Sequence, residues 1–247
     1  MSAERLGAAA LGRIGGVTPG ARLASLRGTL EGRIVFTTSF GLEDQAISRL
    51  IFTQRLAIDV VTLDTGRLFP STYALWAETE QRYGTRIRPF FPDPRQLADL
   101  IADWGINGFY HAREARSGCC GVRKVEPLRR ALGGAAGWIT GLRADQSGQR
   151  GAVDFAAWDE THRLIKLAPL FDCTREMVAD FCASNDVPTN KLHDQGYLSI
   201  GCEPCTRAVA PGESERAGRW WWESDDAKEC GLHVGTNGRL VRAKVAA

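Results

Sequence analysis

The chain has 247 residues, 44% of them hydrophobic and 24% charged, with a formal net charge of +2. These values describe an ordinary globular protein with a sizeable core, and they exclude disorder as the main state. The charge is too balanced for bulk nucleic-acid binding, so no nucleic-acid partner is expected. No apolar run approaches the ~20 residues of a membrane helix, and the first twenty residues lack a signal-peptide pattern, so no membrane association and a cytoplasmic location are expected. Seven cysteines are too few for a disulfide scaffold, and their odd number leaves at least one thiol unpaired within the chain.

After an Ala-, Gly-, Leu- and Arg-rich helical lead-in, strands and helices alternate. Arg33–Thr38 reads as a buried strand ending in the turn Ser39-Phe40-Gly41. A helix follows, with Leu42, Ala46, Ile47, Leu50 and Ile51 on one side and Glu43 and Asp44 at its positive end. Ile58–Leu63 is a second strand, closed by Asp64-Thr65-Gly66. Then come a helix from Pro70 to about Tyr83, a strand from Arg86 to Phe91, and a helix from Pro94 to Trp104. Later strands are expected at Trp138–Leu142 and Leu164–Leu167, and Thr174 caps a helix with Met177, Val178, Phe181 and Cys182 on one face. This alternation predicts an α/β fold with a mostly parallel sheet flanked by helices, and with ligands at the carboxyl ends of the strands. After about Asn190 the texture changes to Gly, Pro, Cys, Arg and Trp. We expect a core over residues 1–195 and an irregular C-terminal extension over 196–247.

Cys119-Cys120 and Cys202-x-x-Cys205 form two tight pairs about eighty residues apart. Four thiols fit tetrahedral zinc or an iron–sulfur cluster. The vicinal pair favours the cluster, because neighbouring residues reach different irons more easily than one small ion. Cys182 reads as a small buried hydrophobe, and Cys173 is grouped with it. Cys230 lies in Lys228-Glu229-Cys230-Gly231-Leu232-His233 near the C-terminus, where cationic neighbours favour a thiolate. By position alone it is either a surface thiol or a nucleophile. Arg143, Arg150, Arg216 and Arg219 stand in polar or Gly-rich loops suited to bidentate recognition of phosphate or sulfate. The Ser39-Phe40-Gly41 turn is placed like a phosphate-binding loop but lacks the GxxxxGK[ST] and GxGxxG patterns.

Seven segments together resemble one family, the assimilatory adenylyl-sulfate (APS) reductases within the APS/phosphoadenylyl-sulfate (PAPS) reductase family. They are Thr38–Gln45, Leu63–Gly66, Cys119–Lys124, Gly141–Arg143, Gly201–Arg207, Arg216–Glu223 and Lys228–His233, in the family's order. The resemblance implies an adenine-nucleotide α-hydrolase-like, Rossmann-like fold and a [4Fe–4S] cluster on Cys119, Cys120, Cys202 and Cys205. It implies Cys230 as nucleophile, with Lys124 and His233 in the catalytic machinery. Ser39, Phe40, Gly41, Leu63, Asp64, Thr65, Gly66, Arg143, Arg150, Arg216 and Arg219 are implied to bind substrate. The expected partners are adenylyl sulfate, thioredoxin and a further copy in a homo-oligomer. Cluster-bearing members use APS, so reduction of APS to sulfite and AMP in sulfate assimilation is the expected activity. A PAPS reductase retaining a cluster and a non-catalytic zinc module are the alternatives. An ATP pyrophosphatase of the same fold group would carry SGGxDS at the first loop, where this chain has Ser39-Phe40-Gly41-Leu42-Glu43-Asp44.

Overall fold

The structure is a computed structural model that describes residues 9–146 and 154–223. Six strands form one sheet: β1 (Arg33–Thr38), β2 (Asp59–Leu63), β3 (Arg88–Phe90), β4 (Ala135–Ile139), β5 (Ala156–Asp159) and β6 (Leu164–Leu167). Their spatial order is β3-β2-β1-β4-β6-β5. All pairings are parallel except β5 with β6. The order reverses beside β1, which makes the carboxyl ends of β1 and β4 the natural place for a ligand crevice.

The helices are α1 (Pro19–Thr29), α2 (Leu42–Thr53), α3 (Pro70–Tyr83), α4 (Pro94–Trp104), α5 (Arg113–Cys120), α6 (Glu126–Leu132) and α7 (Arg175–Ser184). Proline stands at the start of α1, α3 and α4, where its fixed φ suits the first helical turn and its missing N–H costs nothing. One face of the sheet packs Ile34, Phe36, Ile139, Ile165 and Leu167 against α1, α2 and α7. The other packs Val35, Val61 and Trp138 against Leu128, Ala131 and Leu132 of α6. The strands are thus apolar on both sides, as a parallel sheet covered by helices requires.

Several elements differ from the sequence expectation. The strand expected at Trp138–Leu142 starts earlier and ends at Ile139; its leading Ala135-Ala136-Gly137 has no β-branched residue to announce it. β3 is shorter than expected, and β5 was not anticipated, because Ala156 and Ala157 carry little strand signal. Met177 was expected on the buried face of α7 but is 56% exposed. Its N–H bonds the Thr174 Oγ1 cap, and burial falls to Val178, one position on, and to Cys182 a turn later.

Residues 196–223 lie against the α/β core. Glu203 donates its N–H to Arg67 O, and Leu68 and Cys202 form an isolated β-bridge. No helix among the described residues is long and apolar enough to cross a membrane.

Candidate active site

A cleft of about 190 Å³ opens at the carboxyl ends of β1, β2 and β4. Its floor is the β1–α2 turn. There Phe40 adopts a left-handed φ of 60°, uncommon for an aromatic residue. The ring compensates by burying in the core and stacking on Trp76 at 5.6 Å. The strained turn presents Ser39 and Gly41 to the cleft. Gly41 precedes α2 at the cap position and has no capping side chain, so the helix's first N–H groups remain for other acceptors.

Asp44 fixes this turn from below. Its Oδ2 accepts from Ser39 N at 2.6 Å and from Ser39 Oγ at 2.8 Å. Burial pushes its carboxyl up to about 7, against the lowering effect of the Ser39 hydrogen bonds and with a smaller push from neighbouring Glu43. Gly141 leaves space for it: a Cβ there would lie 2.3 Å from Asp44 Oδ1. The folded carboxyl thus holds a proton that the unfolded chain releases near the ordinary aspartate value of 3.8. Asp44 therefore contributes stability below pH ~4 that is lost as pH rises to about 7, with a slope approaching ~1.4 kcal/mol per pH unit. Urea unfolding between pH 4.5 and 7.5 is expected to show this slope in the parent and a flatter profile in Asp44→Asn.

The β2–α3 turn plays a different part. Asp64 Oδ1 accepts from Gly66 N and Tyr73 Oη, each at 2.8 Å, and Gly66 takes φ 69°. Leu63 and Thr65 reach the cleft wall. Thr65 Oγ1 also lies 3.3 Å from Cys202 Sγ, and Thr65 O accepts from Arg123 Nη1 at 2.6 Å.

Lys124, Arg216 and Arg219 bring positive charge to the cleft. Arg219 lies so close over Gly201 that a Cβ there would be 2.3 Å from its Nη2, and its guanidinium stacks on Trp220. Phe40, Asp64, Gly66 and Arg143 stand apart from the cleft surface. The Phe40 ring is core, and Asp64 and Gly66 shape their own turn. Arg143 is fully buried: Nε bonds Glu43 Oε1 at 2.7 Å, Nη2 bonds Glu215 Oε2 at 2.7 Å, and Nη1 pairs with Asp145. With its donors committed to three carboxylates, this guanidinium braces the cleft from behind. Arg150, Cys230 and His233 lie outside the described residues.

Beside the cleft, Cys119, Cys120, Cys202 and Cys205 line one small pocket. Cys119 and Cys120 end α5, where a π-helical segment, Gly121–Val125, widens the backbone before α6; such segments recur at functional sites. Phe109 and Trp220 pack against the thiols. None of the four is in a disulfide. Among the described residues no group of three Cys, His, Asp or Glu side chains is gathered so as to hold a single metal ion. The four thiols face a common space without converging on one point. Arg67, Arg116, Arg123 and Lys124 also line it; burial raises Cys119 and pushes Cys205 up to about 12, whereas at Cys202 burial is outweighed, first by Lys124, and the thiol is lowered. Softness, number and charge environment fit an iron–sulfur cluster.

Lys124 lines both the cleft and the thiol pocket. Arg116 and Arg123 were missed from the sequence, although a signal existed: they lie three and four positions before and after the Cys119-Cys120 pair, on one helical face. Glu43, Asp44 and Glu215 were missed as a carboxylate layer because they come from distant segments.

Residues 33–208 match the family model for the phosphoadenosine phosphosulfate reductase domain. The chain belongs to the phosphoadenosine phosphosulfate reductase family. An adenosine 5′-phosphosulfate reductase of Agrobacterium fabrum is 54% identical over 221 residues, covering 90% of this chain and 85% of that one. One of Allochromatium vinosum is 50% identical over 200 residues, covering 81% and 78%. The crystal structure of a phosphoadenylyl-sulfate reductase from Candida auris superposes with a TM-score of 0.68 at 24% identity, covering 85% of this chain and 98% of that one. At that identity the superposition shows a shared fold. In this reductase family member the matched segment contains the whole described cleft wall except its last turn, Glu215 to Arg219.

Proposed function

We propose that this protein reduces adenosine 5′-phosphosulfate to sulfite and AMP in sulfate assimilation. The observation that carries the proposal is the shared wall: Lys124 stands between a cleft at the switch point of a parallel sheet and a pocket of four cysteines. The names of the relatives agree with it.

In this reading the nucleotide lies against Ser39, Gly41, Leu63 and Thr65, and its phosphosulfate faces Lys124, Arg216 and Arg219. Arg150, outside the described residues, is assigned to the same set of cations. The Cys230 thiolate attacks the sulfur of the phosphosulfate. An S–S bond forms, the bond from sulfur to the phosphate oxygen breaks, and AMP leaves with the electron pair. Cys230 then carries an S-sulfonate. A thiolate of a dithiol protein, thioredoxin, attacks the Cys230 sulfur, and sulfite leaves with the S–S electron pair. The mixed disulfide is resolved by the second thiol, so one dithiol is oxidised for each sulfate-level sulfur reduced. Both steps bring anions together, which is why the cations matter. His233, three residues after Cys230 in sequence, assists the thiolate chemistry.

Cys119, Cys120, Cys202 and Cys205 would hold a [4Fe–4S] cluster. When bound it supplies a compact charge of about −2, four thiolates included. Lys124 faces that charge on one side and the phosphosulfate on the other. The remaining cysteines have no part: burial pushes Cys182 up to about 12 and raises Cys173, which leaves both as inert core thiols. The second reading, a PAPS reductase, needs cations for a 3′-phosphate. The carboxylates Glu43 and Glu215 that line the cleft oppose a further anion.

Steady-state sulfite formation with a dithiol reductant tests the substrate. APS is expected to give a kcat/KM at least ~100-fold above PAPS, about 2.7 kcal/mol of discrimination. Equal values for the two would overturn the assignment.

A further inference from the structure

Arg216 and Arg219 reach the cleft from one turn of the C-terminal extension. Part of that turn is held by the extension itself: Arg207 N donates to Gly218 O and Arg219 N to Arg216 O, each at 2.9 Å, and Thr206 and Arg219 form an isolated β-bridge. Glu215, immediately before Arg216, ties the turn to the α/β core. Arg143 donates Nη2 to Glu215 Oε2 at 2.7 Å and Nε to Glu43 Oε1, in the first turn of α2, at 2.7 Å. Arg175, which opens α7, lies 3.6 Å from Glu215 Oε1 and donates Nη1 to Leu198 O at 2.9 Å. One carboxylate thus joins the turn carrying two cleft cations to the segment after β4 and to α7, and through Arg143 to α2.

By charge alone this placement disfavours an anion site. Glu215 lines the cleft itself, and Arg143 and Arg175 face three carboxylates, those of Glu43, Asp145 and Glu215. Burial, and then Glu43, raises the Glu215 carboxyl above the ordinary glutamate range. A neutral side chain at this position would oppose an anionic ligand less. A buried ion pair is also a poor device for stability alone, since packed hydrophobic residues do as well, and its best-attested use is to fix register. The register at stake is that of Arg216, next in the chain, and of Arg219 three residues after it. Guanidinium forks recognise oxyanions through fixed geometry, so their value depends on where the backbone sets them. We infer that Glu215 is a positioning residue for the reaction: gripped by Arg143 and Arg175, it holds Arg216 and Arg219 against the phosphosulfate.

This inference rests on the cleft taking an adenine nucleotide that carries a phosphosulfate, and the test separates the two. Binding of adenosine and of ADP to cluster-loaded parent, Glu215→Gln and Glu215→Asp is measured by calorimetry at pH 8. The second phosphate of ADP stands for the sulfate, and adenosine carries no anion. Field and placement predict opposite signs. If the carboxylate acted only through its charge, its removal in Glu215→Gln would tighten ADP. If it positions the arginines, an amide with one acceptor oxygen in place of two loosens the grip and weakens ADP. The preference for ADP over adenosine is expected to fall about 10-fold in Glu215→Gln, the worth of a charged hydrogen bond, while adenosine stays within about twofold of the parent. Glu215→Asp keeps the charge but shortens the reach, is expected to lower the same preference about 3- to 10-fold, and serves if the Gln variant does not fold. A preference that rises in Glu215→Gln, a parental preference in both variants, or equal losses for ADP and adenosine would overturn the inference. A parent that binds ADP no more tightly than adenosine defeats the reading of the cleft instead, and the role of Glu215 falls with it.

Discussion

Replacing Arg143 with alanine is expected to destabilise the protein by about 3–5 kcal/mol, the range found when one partner of a buried charge cluster is removed. Arg143 is fully buried and holds Glu43 and Glu215 on opposite sides, with Arg175 3.6 Å from the second. Without it, Glu43 and Glu215 face each other in a desolvated space, with Arg175 pairing with Glu215 at 3.6 Å. Glu215 is already raised above the usual carboxylate range by burial, and then by Glu43. Loss of its main partner raises it further, so part of the deficit is recovered at acid pH, where the carboxyls protonate. Arg143→Lys keeps the charge but not the fork, and is expected to fall in between because one ammonium cannot serve three carboxylates. Urea unfolding at pH 7.5 and pH 5 checks both points. A loss below about 1 kcal/mol at pH 7.5 would show that Arg143 is not the brace described.

Cys230→Ser is expected to lower sulfite formation from APS by at least about 10³-fold. A serine hydroxyl stays protonated at neutral pH and cannot replace a thiolate at sulfur without an activating base. AMP affinity and cluster absorbance are expected to match the parent, because the cleft and the four-cysteine pocket are built from other segments. The measurement is steady-state sulfite release with a dithiol reductant, beside AMP binding. Turnover within tenfold of the parent would remove Cys230 from the chemistry.

What the sequence made legible follows from how each feature is encoded. β1 and β2 were readable because fully buried parallel strands are runs of β-branched and aromatic residues, as in Ile34-Val35-Phe36 and Val60-Val61. The helices opened by Pro70 and Pro94 were readable because proline marks a first turn. β4 and β5 begin in alanines, and an alanine pair says little about strand or helix. The cysteine pairs stood out by spacing, and the fold brings both to one pocket. The cations were harder. Arg143, Arg216 and Arg219 looked alike in sequence, each an arginine in a loop. Only three-dimensional packing separates Arg143, whose partners Glu43 and Glu215 are 100 and 72 residues away, from the two that reach the cleft. Asp44 likewise read as a helix-dipole charge, whereas its burial under Ser39 makes it a structural acid. Phe40 belonged to the right loop, but its left-handed backbone turns the ring into the core.

The central claim is that a thiol of this chain takes the sulfonate from adenosine 5′-phosphosulfate before any reductant acts. Mass analysis of a single turnover tests it most directly. Cluster-loaded protein is mixed with APS in the absence of thiols, quenched and digested. The account predicts one added mass of about 80 Da, confined to the peptide containing Cys230, formed together with one equivalent of AMP and released as sulfite when a dithiol is added. Release of AMP with no adduct on that peptide, or an adduct on any other cysteine, would contradict it.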